Sequence, residues 1–399
     1  MDKPSQQQRF AERAAADVPE PAVPDPRPVV VFSANSCWNL LNFRGGLLSG
    51  LNEAGYRLVA FAPADGHAEE LRRRGVELIP LPMARSAMNP LGDAGLLVRY
   101  VRALRALRPA AYCGFTIKPN VYGAIAARLT GVPTINNVTG LGTTYLSTSL
   151  MWRLAAQLYR AAFKRSHTVF FHNDEDRKIF LEWRIIRPEQ GRVIPGSGVD
   201  LEHFKPEEAQ RGRLDGDLRF LFIGRAIVHK GIREYVEAAR QLRHRLPGAR
   251  FQLLGDPDTG NPTSVSPAEF QSWIDDGVIE HLGNHSDVRP FLRCATAVVL
   301  PTYREGMSRA LLEGAAMGKP LVGTDVAGSR ELVEEGVTGA LCRARDATSL
   351  ADAMERIGRM PPERLRHVGR AARLRVEQGF SEKVVIEAYL RALDELVAS

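Results

Sequence analysis

The stretch EGMSRALLEG, residues 305–314, sets two carboxylates eight positions apart. Glu305 stands at the mouth of a short helix read over RALLEGAAM and closed by Gly318 and Pro320. Glu313 stands inside that helix, among Ala310, Leu311, Leu312, Ala315, Ala316 and Met317. A carboxylate buried without a partner is costly. Glu313 is therefore expected to meet ligand hydroxyls, to close an internal salt bridge or to face solvent. The helix start offers backbone N–H groups and the positive end of a dipole, which suit an anion. Earlier, FIGRAIVHKG (222–231) ends a strand and opens a helix, with Arg225 and Lys230 flanking the turn. A guanidinium fork and an ammonium point charge there suit a diphosphate, unless the pair meets only solvent.

These residues need a scaffold, and the chain reads as alternating strands and helices. VVVFSA is a β-branched run of the buried parallel-strand kind. It is followed by a loop holding Gly45 and Gly46, a helix pattern in GGLLSGLNEAG, then RLVAFAP and HAEELRRRG. The alternation continues to HTVFFHN, breaks in the Gly-, Pro- and charge-rich stretch from IPGSGV onward, and restarts at RFLFIG. The expected organisation is a polar, proline-dense disordered tail (1–28), a first doubly wound α/β domain (29–196) and a linker (197–216). A second such domain (217–378) and a closing helix (379–399) packing back on the first complete it. Open parallel sheets bind ligands at the carboxyl ends of their strands, and two such halves place a ligand cleft at their interface.

Composition narrows the class. The 399 residues are 44% hydrophobic and 25% charged, as in a soluble globular protein, and the length suits two domains. The net charge of +7 favours acidic partners such as phosphorylated ligands or anionic headgroups. Four scattered cysteines show no zinc spacing and fit a reducing cytoplasm. No apolar run reaches the roughly 20 residues that span a bilayer. Nucleic-acid binding is disfavoured, because the arginines follow helix periodicity without interleaved stacking aromatics.

Taken in order, GRAIVHKG, the E-x7-E pair of EGMSRALLE, and GKPLVGTDVAGSRELVEEGVTG form a specific set. It resembles the retaining glycosyltransferases of the GT-B fold, in particular the large GT4 family, from about residue 29 to 395. The resemblance implies two Rossmann-like domains facing each other across a cleft. It implies that Arg225 and Lys230 bind a nucleotide diphosphate and that Glu305 meets the donor sugar hydroxyls as the catalytic-site carboxylate. The backbone of Gly306, Met307 and Ser308 would hold sugar and phosphate, Glu313 the ribose hydroxyls, and main chain around Asn284 and His285 the base. With no donor bound, water or Arg225 is expected to face Glu313. The DPD triplet at 256–258 mimics an Asp-x-Asp metal motif, but the family uses no metal at this place, and neither metal nor cofactor is expected.

On the acceptor side, the same resemblance brings Gly45 and Gly46 towards the donor phosphates and the acceptor. TIKPNVYG (116–123) and INNVTGLGTTY (135–145) are polar clusters at strand ends, offering Lys118, Asn120, Asn137 and Thr139 as acceptor-side residues. Asn136, Asn137 and Thr139 are equally read as turn makers. Many GT4 enzymes carry a first-domain histidine near the reacting sugar, and the corresponding positions here read Lys118 and Asn137. Two basic amphipathic stretches, LLVRYVRALRALRP and SLMWRLAAQLYRAAFKRS, are read either as sheet-packed helices or as surfaces lying on an anionic membrane.

The expected activity is retaining transfer of a hexose or N-acetylhexosamine from a nucleotide sugar, taken as a UDP-sugar. The expected acceptor is an undecaprenyl-diphosphate-linked saccharide in surface polysaccharide synthesis. The expected location is the cytoplasm, peripheral to the inner membrane. The alternatives are a GT-B sugar-nucleotide epimerase and a non-catalytic membrane-associated assembly partner. The epimerase would need more acid/base groups around the sugar than Glu305 supplies.

Overall fold

The structure, a computed structural model, describes residues 25–83, 90–141, 149–206 and 218–397. The tail read over 1–28 lies outside them up to residue 24, as does the read linker from residue 207. The first sheet has seven strands: β1 Val29–Ser33, β2 Arg57–Ala62, β3 Val76–Pro80, β4 Ala111–Phe115, β5 Thr134–Val138, β6 Thr168–Phe171 and β7 Gly191–Val193. Their order is β3-β2-β1-β4-β5-β6-β7. The second sheet has six: β8 Arg219–Ile223, β9 Arg250–Leu254, β10 Glu280–His281, β11 Ala297–Leu300, β12 Leu321–Thr324 and β13 Gly339–Cys342. Their order is β10-β9-β8-β11-β12-β13. Neighbouring strands run parallel, with Val30 opposite both Leu58 and Ala111, and Phe220 opposite both Phe251 and Ala297.

Both sheets are therefore doubly wound, and each reverses its strand order beside its first strand. The switch falls between β1 and β4 in one and between β8 and β11 in the other. Ligands of open α/β sheets bind at such points, beyond the strand ends. The strands are apolar runs because both faces are covered: Val30, Val31 and Phe32 are fully buried, as are Phe220, Leu221 and Phe222.

The chain forms two compact units, Met1–Asn137 with Ala161–His167, and Val138–Arg160 with Thr168–Ser399. Within the second, the closing helix Glu382–Val397 packs Tyr389 against Phe170, the rings tilted with centroids 4.8 Å apart, and pairs Glu395 with Arg192 at 2.6 Å.

One local reading changes. Gly45 and Gly46 do not lie in a loop after β1 but inside the helix Cys37–Glu53. Ser36 caps that helix by accepting from Asn39 N at 3.1 Å, and Leu40, Leu47, Leu48 and Leu51 give it one buried stripe. The cap and the stripe outweigh two mid-helix glycines, each worth only about 1 kcal/mol. SRELVEEG forms turns, with Glu331 accepting from Gly328 N at 2.7 Å.

Candidate active site

The loops after β8 and β11, the two strands at the second switch point, carry the groups singled out in the sequence. The β8 loop ends in the short turn Val228–Lys230 and leads into the helix Ile232–Arg245. The β11 loop leads into the helix Arg309–Ala316. Between them the Lys230 ammonium pairs with Glu305 Oε1. Thr302 Oγ1 donates to the same oxygen at 3.0 Å. Glu305 Oε2 has no partner among the described residues. One oxygen is thus fixed and the other is available to a hydroxyl donor.

Ser308 caps the helix, its side chain accepting from Leu311 N, and its own N–H donates to Gly328 O at 2.9 Å. Glu305 N donates to Ala327 O at 3.2 Å. The N–H groups of Gly306 and Met307 have no hydrogen-bond partner among the described residues. Two donors beside a helix start can meet sugar or phosphate oxygens. The close approach of neighbouring backbone explains two glycines here: a Cβ on Gly140 (φ +128°) would lie 2.7 Å from Gly306 N.

Glu313 is buried, and its partner is Arg309, Nε to Oε1 at 2.6 Å, one helical turn back. This corrects the expectation that water or Arg225 faces it. The Arg225 guanidinium, largely exposed, instead pairs with Asp258 at 2.5 Å. Burial raises Glu313 above the ordinary glutamate range, while Arg309 and His203 pull it back. Asp256 Oδ1 lies 3.0 Å from His281 Nε2, so both aspartates of DPD have partners within the protein. Asn284 and His285 are exposed after β10, with His285 Nε2 2.9 Å from Leu282 O.

The first-sheet residues form a different constellation. Lys118 Nζ donates to Asp93 Oδ1 at 2.6 Å, and Tyr122 OH to Asp93 Oδ2 at 3.1 Å. Asn120 is buried, donating to Asn137 O at 2.8 Å and accepting from Asn136 Nδ2 at 2.9 Å. Ser166 Oγ then donates to Asn136 Oδ1 at 2.8 Å. Asn120 and Asn137 are thus interior groups, Asn120 joining the turn after β4 to the Asn137 carbonyl of β5, and not the ligand-facing residues expected. The cluster from residue 142 to 145 lies outside the described residues.

Sequence reasoning missed Arg309, Thr302 and Asn173. The first was findable, since residues four apart on a helix meet. Asn173 Nδ2 donates to Gly306 O at 2.8 Å from 133 positions away, and nothing in the sequence signals it.

Switch-point loops that carry a fixed carboxylate, a lysine and unpaired N–H groups beside a helix start can meet anions and hydroxyls. Residues 217–359 match the family described as Glycosyl transferases group 1, and residues 43–196 match the Glycosyl transferase 4-like domain. The chain belongs to the GT4-type glycosyltransferases of the GT-B fold. It is 26% identical over 380 residues to the N,N'-diacetylbacillosaminyl-diphospho-undecaprenol alpha-1,3-N-acetylgalactosaminyltransferase of Campylobacter jejuni, covering 92% of this chain and 98% of that protein. It is 28% identical over 253 residues to the UDP-Gal:alpha-D-GlcNAc-diphosphoundecaprenol alpha-1,3-galactosyltransferase of Escherichia coli, covering 60% and 64% respectively. Among solved structures, Anabaena HepE in complex with UDP-glucose superposes with a TM-score of 0.76 at 19% identity, covering 92% of this chain and all of that one. Sucrose-phosphate synthase from Thermosynechococcus elongatus does so with a TM-score of 0.78, also at 19% identity, over 93% of this chain and 100% of that one.

Proposed function

We propose that this glycosyltransferase moves a hexose or N-acetylhexosamine from a UDP-sugar to an undecaprenyl-diphosphate-linked saccharide, with retention of anomeric configuration. The observation that carries the donor side is Glu305, gripped on one oxygen by Lys230 and Thr302 beside the free N–H groups of Gly306 and Met307. The match to the Campylobacter jejuni transferase over 98% of its length supports the lipid-linked acceptor.

In this reading Glu305 Oε2 accepts from donor sugar hydroxyls, and the N–H groups of Gly306 and Met307 meet the diphosphate. Lys230 supplies positive charge to the leaving diphosphate, and Arg225 adds to it by leaving Asp258. Glu313 accepts from the ribose hydroxyls, and main chain near Asn284 and His285 meets the uracil. The acceptor hydroxyl attacks C1 from the face that UDP leaves, and its proton passes to a departing phosphate oxygen. Glu305 orients and stabilises without attacking. The chemistry proceeds without a metal ion.

Residues 29–196 serve the acceptor and 217–378 the donor. The enzyme works at the cytoplasmic face of the inner membrane. Among the described residues no helix is long and apolar enough to cross a membrane. The helix Ser149–Phe163 turns Trp152 and Tyr159 into the core but exposes Leu154 and Arg153 beside Trp183, a mixed apolar and basic face suited to an anionic surface.

The test supplies radiolabelled UDP-GalNAc, UDP-GlcNAc, UDP-Glc, UDP-Gal or GDP-Man with bacterial membrane extract and counts label in the lipid fraction. Transfer from a UDP-sugar, undiminished by EDTA, is expected. No transfer from any donor overturns the reading, and strict metal dependence overturns its metal-free chemistry.

A further inference from the structure

The loop that carries Glu305 is held by more than Lys230 and Thr302. Asn173, directly after β6, donates through Nδ2 to Gly306 O at 2.8 Å and to Glu305 O at 3.3 Å. Its Oδ1 accepts from Asp176 N at 2.8 Å and so caps the helix Asp174–Glu182. Asp176, whose side chain is completely buried, pairs with Arg304 Nη2 at 2.5 Å, and Glu175 pairs with Arg304 Nη1 at 2.6 Å. Arg304 is itself nearly buried and immediately precedes Glu305. All of these residues belong to the compact unit Val138–Arg160 with Thr168–Ser399.

A buried carboxylate fixed to a buried guanidinium is costly to assemble and carries weak net stability. Its geometric consequence is stronger. Arg304 is anchored on one side of Glu305, and the Glu305 and Gly306 carbonyls are anchored by one amide on the other. The peptide units around the carboxylate are then fixed by groups that do not touch its side chain. The helix cap itself needs only the Asn173 oxygen, and the Asn173 nitrogen joins the Glu305 loop to Asp176, whose Oδ2 it also reaches at 3.3 Å.

We infer that Asn173 and the Asp176–Arg304 pair are positioning residues that set the Glu305 carboxylate and the adjoining N–H groups for the donor sugar. They act through Glu305, so the inference rests on the proposed donor site. Displacement of a reacting or orienting group by about 1 Å can cost roughly a hundredfold in rate. Loss of the Asn173 donor should therefore fall on turnover and on recognition of the sugar, and spare the affinity for the nucleotide.

Asn173→Ser separates the two roles of this residue, because serine is a good helix cap and its hydroxyl is too short to replace the amide donor. The experiment compares full-length wild type, Asn173→Ser, Asp176→Asn and Glu305→Ala. It measures kcat for transfer from the UDP-sugar that the wild type turns over. It also measures, by calorimetry, the ratio of the Kd values for UDP and for the intact UDP-sugar. Asn173→Ser is expected to lower kcat about 10- to 100-fold, to keep the UDP Kd within twofold, and to shift the affinity ratio as Glu305→Ala does. A kcat and affinity ratio within twofold of wild type in Asn173→Ser overturn the inference, as does a UDP affinity that falls in step with kcat. Asp176→Asn extends the test to Arg304, with the same shift in kcat and affinity ratio expected alongside a lower Tm, because it removes a buried counter-charge of Arg304. If the wild type binds UDP-sugars but transfers none, the proposed transfer fails, while the affinity ratio still decides the positioning role.

Discussion

The switch points of the two sheets share a topology and spend their polar residues in opposite ways. After β4, Asn120, Asn136 and Ser166 hydrogen-bond one another in the interior, and Lys118 is closed onto Asp93. After β8 and β11, the Glu305 carboxylate keeps one oxygen without a partner, Gly306 and Met307 keep their N–H groups, and the Arg225 guanidinium stays largely exposed. The first arrangement is a satisfied network, which rigidifies a strand end. The second holds charge and donors ready for a ligand. Equal topology therefore says where a ligand can bind, and the hydrogen bonds separate a strand end paired within itself from one that keeps an acceptor and two donors without partners among the described residues.

The comparison breaks most visibly at Asp93. Asp93→Asn leaves Lys118 without its counter-charge in a nearly buried place, with an expected loss of about 3 kcal/mol in denaturant unfolding. UDP affinity should hold in that variant, and a drop in UDP affinity at full stability would assign Asp93 to the ligand side instead. Arg225→Ala, at the exposed ion pair with Asp258, should do the reverse. We expect about a tenfold higher KM for the donor, with Tm nearly constant because exposed pairs are worth about 0–1 kcal/mol.

The smallest effect concerns pH. Burial raises Glu313 above its unfolded value of 4.5, so the folded chain holds that proton more tightly than the unfolded one. The group adds stability below that value and loses it as pH rises through the folded value. Glu313→Gln removes this dependence. Its Tm, measured without nucleotide, should therefore gain on wild type between pH 4 and pH 7, by about one or two degrees. A gap that narrows over this range would mean that Arg309 outweighs burial.

How much of this was legible in the sequence differs between the same two regions. The β-branched runs and their alternation with helices announced both sheets, because a strand covered on both faces needs apolar residues throughout. Lys230, Glu305 and Glu313 announced the second switch point by type and spacing. Gly45 and Gly46 misled, since glycine marks a loop only when a cap and a buried stripe do not claim it, and Ser36 with Leu47 and Leu48 did. Asn120 misled because polarity at a strand end looks the same whether the amide faces a ligand or another amide, and Asn137 because a polar residue of a buried strand looks like an exposed one. Asn173 was invisible, as pairing across 133 residues leaves no local pattern.

UDP titration by calorimetry of wild type, Glu313→Ala and Lys118→Ala decides which switch point takes the nucleotide. Glu313→Ala is expected to weaken UDP binding at least tenfold and Lys118→Ala to leave it within twofold. Binding that survives in Glu313→Ala and fails in Lys118→Ala would contradict this expectation, and would move the nucleotide to the first switch point.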